Sequence, residues 1–569
     1  MTDPRADELR AERLIRIAAG RTNLLIAGSP ATVLGENALA GAIRERLAGF
    51  GALPAEAGPS RFVFVIEAAQ HAFAELFSGF PAAGSVPTIV VLASELAEPA
   101  TQALTDAGWA LETARPGVTL ATGTRAVLAL VPETPLPAGA GTGSGAERLA
   151  WARRFMPITT ELAAGLGREG LVTGRRIAVS LVLEPKTCVL ALALADAGAE
   201  VAVFAPVSET DTSAAAALAA TGVSVYAPTS VDPGVDARSL DARHAAALLD
   251  WAPELLIDDG SHLIRLAHTE RPAALGQLLG AGEETTSGVR PLVELAAEGG
   301  LRIPVIGVND ARTKTLFDNR IGTGQSCVLA IADLLDPEDA PSARAIAGTD
   351  WLVIGYGPVG EGVARHARAL GARVRVHDRD PVRELAARHD GYPTLALEAG
   401  IARSDVVVSA TGVWHTVTET GFLVARPDTV FAVAGGIDDE LGLDELRARG
   451  WVSTPLRDGV DLWSAQGAAA GALVLAGGGG VNYTAGEGNP IEIMDLSFAT
   501  QLAALRQILE TRPAPGLVPL RPEAEAEVAR IALGGAASTP TPAAARPGGA
   551  AQHWSVHRYR QSPAENLEE

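Results

Sequence analysis

The stretch "WLVIGYGPVGEGVARHARALGARVRVHDRD", Trp351 to Asp380, decides the fold. A short apolar run leads into Gly355, Gly357 and Gly360, a helical segment follows, a second strand comes at Arg373 to Val376, and Asp378 stands at its end. That order is a complete dinucleotide-binding fingerprint. The glycines permit a tight turn and a close approach of backbone to pyrophosphate, the helix N-terminus faces negative charge, and an acid about 20 residues on serves the ribose hydroxyls. Asp378 would repel a 2′-phosphate, so the pattern favours NAD over NADP, although Arg379 and Arg383 stand nearby.

Outward from this unit, Val/Ile-rich runs alternate with Ala/Leu/Arg segments of helical period, the pattern of parallel sheets covered by helices. The fold class is α/β: a Rossmann-type NAD-binding domain inserted in an α/β substrate domain, with an N-terminal α/β extension. The expected boundaries are residues 1–145 for the extension and its linker, 146–325 for the substrate domain and 326–484 for the NAD domain. Residues 485–533 return to the substrate domain, and 534–569 form a connector and tail. Strands of the extension are expected at Leu24 to Ala27, Phe62 to Ile66, Ile89 to Leu92 and Val127 to Val131. Those of the substrate domain are expected at Ile177 to Ser180, Val201 to Phe204, Val223 to Tyr226, Leu255 to Ile257 and Val305 to Ile306. No internal repeat is evident. "IAGSPATVLG" is a poor phosphate loop, so the extension reads as an oligomerisation or docking element rather than a second cofactor site.

Composition excludes several classes. A formal charge of −21 over 569 residues argues against nucleic acid and anionic membrane as partners. Cys188 and Cys327 are the only cysteines and form no metal-ligand spacing, so neither a metal site nor a disulfide framework is expected. A charged N-terminus without a signal-peptide core, and no apolar run of spanning length, point to the cytoplasm. Lysine is almost absent: Lys186 and Lys314 are the only two. Arginine cannot give up its proton in a protein, whereas a lysine buried beside apolar or cationic groups can. A lysine kept against such a bias is a candidate proton carrier.

Six motifs in order then resemble the adenosylhomocysteinase family: "FMPI", "LIDDGSHL", "GAGEETTSGV", "VNDARTKTLFDN", the NAD fingerprint, and "GGGGVNYTAGEGNP" with "SFATQ". The resemblance runs from about Phe155 to the C-terminus and leaves the extension unmatched. It implies an enzyme whose bound NAD transiently oxidises a nucleoside 3′-hydroxyl, so that the C4′ hydrogen becomes acidic and the 5′ substituent can be eliminated. By the same resemblance Lys314 takes the 3′-hydroxyl proton, Asp318 orients it, Asp259 sits near C4′ and C5′, and Glu284 holds ribose hydroxyls. Asn319, Thr285, Thr286, Ser287 and Asn482 match cofactor contacts. The family also implies a homo-oligomer, a tetramer, in which Tyr559 of the tail reaches the NAD of a neighbour.

The departures from the pattern cluster. Histidines of the family are replaced by Val182, Gly436 and Asn489, a threonine and a glutamate at adenine by Glu184 and Lys186, a methionine over the base by Glu487, and a cysteine near the nicotinamide by Thr323. Groups serving NAD and the sugar ring are kept, and those serving the base and the 5′ leaving group are changed. The expectation is a nucleoside enzyme that eliminates, adds, dehydrates or epimerises at C4′ or C5′, with Glu184, Lys186, Glu487 and Asn489 on the substrate side, and without hydrolysis of S-adenosylhomocysteine. An atypical true adenosylhomocysteinase and a silent NAD-binding regulatory paralogue stay open beside it.

Overall fold

The computed structural model describes residues 4–55, 60–67, 73, 86–124, 126–134, 143–230, 234, 236–336, 345–435, 439–468 and 470–534. Three seven-stranded sheets follow one another along the chain. The first holds β1 (Pro30–Leu34), β2 (Leu53–Pro54), β3 (Phe62–Val65), β4 (Thr88–Leu92), β5 (Ala110–Arg115), β6 (Val118–Thr122) and β7 (Val127–Pro132), in the order β2-β1-β3-β4-β7-β6-β5. The second holds β8 (Arg176–Ser180), β9 (Glu200–Phe204), β10 (Ser224–Tyr226), β11 (Leu255–Asp258), β12 (Gly280–Glu283), β13 (Pro304–Gly307) and β21 (Gly516–Val518), all parallel, in the order β10-β9-β8-β11-β12-β13-β21. The third holds β14 (Asp350–Ile354), β15 (Arg373–His377), β16 (Val406–Ser409), β17 (Val430–Val433), β18 (Trp451–Arg457), β19 (Val460–Ala465) and β20 (Ala472–Leu475). Its order is β15-β14-β16-β17-β20-β19-β18. Central strands such as β4, β11 and β16 are buried along their whole length, as strands covered by helices on both faces must be.

The chain divides into two compact units, residues 1–528 and 529–569. Of the second, only residues 529–534 are described, and they end the helix Pro522–Ala532. Tyr559 and Gly436 lie outside the described residues. Among the described residues no helix is long and apolar enough to cross a membrane.

One expected strand is not a strand. Leu24 and Ile26 are fully buried, but the segment after the first helix (Pro4–Thr22) is irregular, and β1 begins only at Pro30. Its backbone is satisfied by side chains of the later domains instead of by a sheet. Gln325 accepts from Ile26 N–H at 3.0 Å and donates to the Leu24 carbonyl at 3.0 Å, and Glu492 accepts from Leu25 N–H at 3.0 Å. An apolar run reports burial, and here interdomain packing supplies it. Two strands of the substrate sheet, β12 and β21, escaped the sequence reading because Gly280 and Gly282 disfavour a strand and the run Gly516–Val518 is only three residues long.

Candidate active site

The fingerprint turn is built as its glycines require. Gly355 has φ 92°, and an added Cβ at Gly360 would fall 1.8 Å from the Gly355 carbonyl oxygen, so neither position admits a side chain without moving backbone. Gly357 caps the helix Pro358–Ala369 with no side chain bonded to its first turn. Asp378 is buried and accepts the Tyr356 N–H at 2.6 Å and the Asp380 N–H at 2.8 Å, which fixes a carboxylate beside the turn. Asn482, on the short helix Val481–Thr484, is fully buried with its side-chain oxygen unpaired. An open helix start, a fixed acid and a buried amide wanting a donor fit NAD.

Lys314 lies on the one-turn helix Arg312–Thr315, and the wide turn Asp318–Gly322 that follows brings Asp318 and Asn319 back onto it. Its ammonium donates to Asn319 Oδ1 at 2.6 Å and pairs with Asp318 Oδ2 at 2.9 Å. Asn319 in turn donates to Asn309 Oδ1 at 3.0 Å, which also accepts the Thr286 hydroxyl at 3.0 Å. Burial works to lower the Lys314 pKa, but Asp318, Glu284 and Asp259 outweigh it and hold it above the ordinary lysine value. The surroundings are therefore anionic, not the apolar or cationic setting in which a lysine loses its proton readily. Deprotonation has to be coupled to a change at those carboxylates.

The carboxylates are poised for this. Glu284 binds Ser497 and Gln501 through its two oxygens, and burial pushes its pKa up to about 7. Burial also raises Asp259, against Thr285 and Lys314. Glu283, which is not among the expected site residues, is fully buried and is the organiser of this corner. It accepts the N–H groups of Gly260 at 3.1 Å, Ser261 at 2.8 Å and Thr285 at 2.9 Å, and an added Cβ at Gly288 would fall 2.0 Å from it. Thr285 caps the helix Thr286–Ala297, and the Ser287 hydroxyl donates to it at 3.0 Å. A second missed residue is His262, exposed at the start of the helix His262–Thr269. Its ring lies over Gly260, where an added Cβ would fall 2.5 Å from Nε2, and it acts electrostatically on both Asp258 and Asp259.

Asn489 ties the cofactor side to the substrate side. Its amide nitrogen donates to Asp318 and, at 3.0 Å, to Thr323 Oγ1, while its oxygen accepts from Ser326 at 2.8 Å. Two residues earlier, Glu487 is held by Arg115 at 2.7 Å and Arg148 at 3.3 Å, and its carbonyl accepts from Lys186 at 2.6 Å. Lys186 also pairs with Glu184 at 2.5 Å and makes a longer contact to Asn23 at 3.5 Å. Burial pushes Glu184 up to about 7, with Lys186 opposing. Tyr483 is 44% exposed and stands 3.5 Å from where a Gly488 side chain would be. The sequence showed these charges but not the long-range partners Arg115, Arg148 and Asn23, which come from distant parts of the chain.

A dinucleotide cradle facing a lysine set among buried carboxylates defines an NAD-dependent enzyme of the hydrolase or lyase type. The S-adenosyl-L-homocysteine hydrolase family model matches residues 141–274, and the model of its NAD binding domain matches residues 332–488. An adenosylhomocysteinase of Thermotoga maritima is 36% identical over 400 residues, covering 68% of this chain and 94% of that protein. An S-inosyl-L-homocysteine hydrolase of Methanothermobacter thermautotrophicus is 35% identical over 393 residues, covering 68% and 91%. An adenosylhomocysteinase of Thermococcus kodakarensis is 37% identical over 398 residues, covering 68% and 90%. The chain belongs to this family, is longer than these relatives, takes NAD as cofactor, and is an enzyme of the adenosylhomocysteinase type with its 3′-oxidation chemistry.

Proposed function

We propose that the enzyme acts on a nucleoside through transient 3′-oxidation followed by loss of the C4′ proton and elimination, addition, dehydration or epimerisation at C4′ or C5′, and that S-adenosylhomocysteine is not its substrate. NAD, when bound, supplies the hydride acceptor. Lys314, once its ammonium proton has moved to a neighbouring carboxylate, takes the 3′-hydroxyl proton with Asp318 orienting it; Asp259 faces C4′ and C5′; Glu284, able to hold a proton near neutrality, carries ribose hydroxyls. Glu184 and Lys186 stand on the substrate side as an ion pair, with the ammonium also bonded to the Glu487 carbonyl. The observation that carries the reading is Asn489, an amide that cannot titrate, bonded to Asp318, Thr323 and Ser326. Together with Val182 it leaves no imidazole at two of the positions where the family pattern has one.

Thioether hydrolysis is the test. S-adenosylhomocysteine and S-inosylhomocysteine are offered to the NAD-loaded chain and released thiol is measured. Little or no thiol from the first is expected, and turnover of about 1 to 10³ per second, ordinary for enzymes, would overturn the reading. One observation favours a true hydrolase as the second reading, namely the His262 ring beside Asp259. On that reading His262→Asn abolishes thiol release while NADH formation persists.

A further inference from the structure

The first and third sheets have one topology. In each, the second strand lies outermost beside the first, the third and fourth follow, and an antiparallel pair closes the far edge. The likeness extends to single bonds whose residue numbers advance in step. Gly28 N–H binds the Gly51 carbonyl at 2.8 Å, as Gly348 N–H binds that of Gly371 at 2.9 Å. Ser29 N–H binds the Ile26 carbonyl at 3.0 Å, as Thr349 N–H binds that of Ile346 at 3.1 Å. Pro30 faces Leu53 in register, as Asp350 faces Arg373. Carried through the turn, this sets "VLGENALAGAIRERLAGFGA", Val33 to Ala52, on "VIGYGPVGEGVARHARALGA", Val353 to Ala372, without a gap. The repeat that sequence reading did not find is therefore present in the backbone.

The two halves also meet through equivalent residues. The helix Ala38–Phe50 packs on Pro358–Ala369, and Pro4–Thr22 packs on Thr323–Leu335. Gly49 and Ala369, matched positions, touch each other: an added Cβ at Gly49 would stand 2.9 Å from that of Ala369. In the same numbering Arg13 matches Asp333 and Arg16 matches Asp336, and the ion pairs are Arg13 with Asp336 at 2.6 Å and Arg16 with Asp333 at 3.1 Å. Ile26 and its match Ile346 each send the N–H to a side chain of the other half, Gln325 and Glu12, both at 3.0 Å, although those two partners are not matched positions. When residue i meets j and the match of j meets the match of i, the contact is that of a two-fold dimer.

The first copy has lost the phosphate cradle. Asn37 replaces the second glycine and fills the helix start by accepting Ala40 N–H at 2.9 Å. Glu67 binds the Glu36 N–H and the Asn37 amide, each at 2.9 Å, so a carboxylate stands where pyrophosphate would need to approach. What the copy gains is reach. Asn23 donates to the Glu487 carbonyl at 3.1 Å and contacts Lys186, and Arg115 grips the Glu487 carboxylate.

We propose that the N-terminal domain is a cofactor-free duplicate of the cofactor domain that serves within one chain as its two-fold mate, with Asn23 and Arg115 as positioning residues bracing the loop from Glu487 to Asn489. Three readouts on the full chain test this. Native mass spectrometry is expected to find one NAD per chain; two would overturn the loss of the cradle. The Gly49→Cys/Ala369→Cys pair needs only a small relaxation to reach disulfide spacing, and after oxidation it is expected to close within one chain. Linkage of two chains would overturn the in-chain mate. In Arg115→Ala, amide exchange of residues 486–489 is expected to quicken about tenfold, the loss of one charge-assisted hydrogen bond, while the three sheets exchange as before and Arg115→Lys restores part of the protection. Unchanged exchange in this loop would overturn the bracing role, whatever nucleoside the enzyme takes.

Discussion

Lys314 shares its cavity with Asp318, Glu284 and Asp259, so one ammonium is set against several carboxyl groups that cannot all stay charged. Glu284 resolves this by rising from 4.5 to about 7, with burial as the main cause. A raised carboxyl has a definite sign in stability. Between those two pH values the folded state keeps a proton that the unfolded chain has lost, so stability falls as pH rises through the window. Glu12, Glu184 and Glu492 are also raised to about 7, each chiefly by burial. Asp350, held at about 2 by Arg373, acts only below the window. Cofactor-free protein is therefore expected to melt at a higher temperature near pH 5 than near pH 8 in scanning calorimetry. Glu284→Gln is expected to flatten that slope by up to about 3 kcal/mol over the window, and a slope identical to that of the parent would contradict the assignment. The lysine itself was legible in the sequence because so few lysines remain. The resemblance also named Asp318, Asp259 and Glu284, but not what holds Glu284, since Ser497 and Gln501 lie more than two hundred positions away in the chain.

At the scale of elements, the cofactor half is hung on one close crossing. The helices Thr323–Leu335 and Pro358–Ala369 meet at Gly324 and Gly362, where an added Cβ at Gly362 would fall 1.9 Å from the Arg320 carbonyl oxygen. Because Arg320 belongs to the turn that carries Asp318 and Asn319, this crossing sets the lysine turn against the cradle. Gly362→Ala is expected to cost about 1–3 kcal/mol by overpacking, read as a lower urea midpoint, and to weaken NAD retention. A variant with parental stability and retention would show that the crossing can relax freely. The fingerprint and the parallel strands were readable because strand runs, glycines and helical period agree locally. Leu24 to Ala27 misled because its backbone bonds go to Gln325 and Glu492, which no local window contains.

At the scale of the molecule, sequence identified a family and left the extension unassigned. Its glycine turn has decayed to Gly35, Asn37 and Ala40, too little for a motif, while the strand order and several backbone bonds before the turn survive. Topology outlasts side chains because any residues of suitable size can fill a core, whereas a cradle needs particular glycines. The base-side charges were visible as Glu184, Lys186 and Glu487, and their clamping by Arg115 became visible only when the duplicate was placed beside them. The central claim is that Lys314 serves hydride removal from a ribose 3′-position. Its most direct test mixes the NAD-bearing chain with adenosine, inosine and their 3′-deoxy analogues while NADH fluorescence is followed. A signal is predicted from a ribonucleoside with a free 3′-hydroxyl, none from its 3′-deoxy analogue, and none from Lys314→Arg, which still holds NAD and melts cooperatively. Normal NADH formation by Lys314→Arg, or silence of the parent chain with every nucleoside, would contradict it.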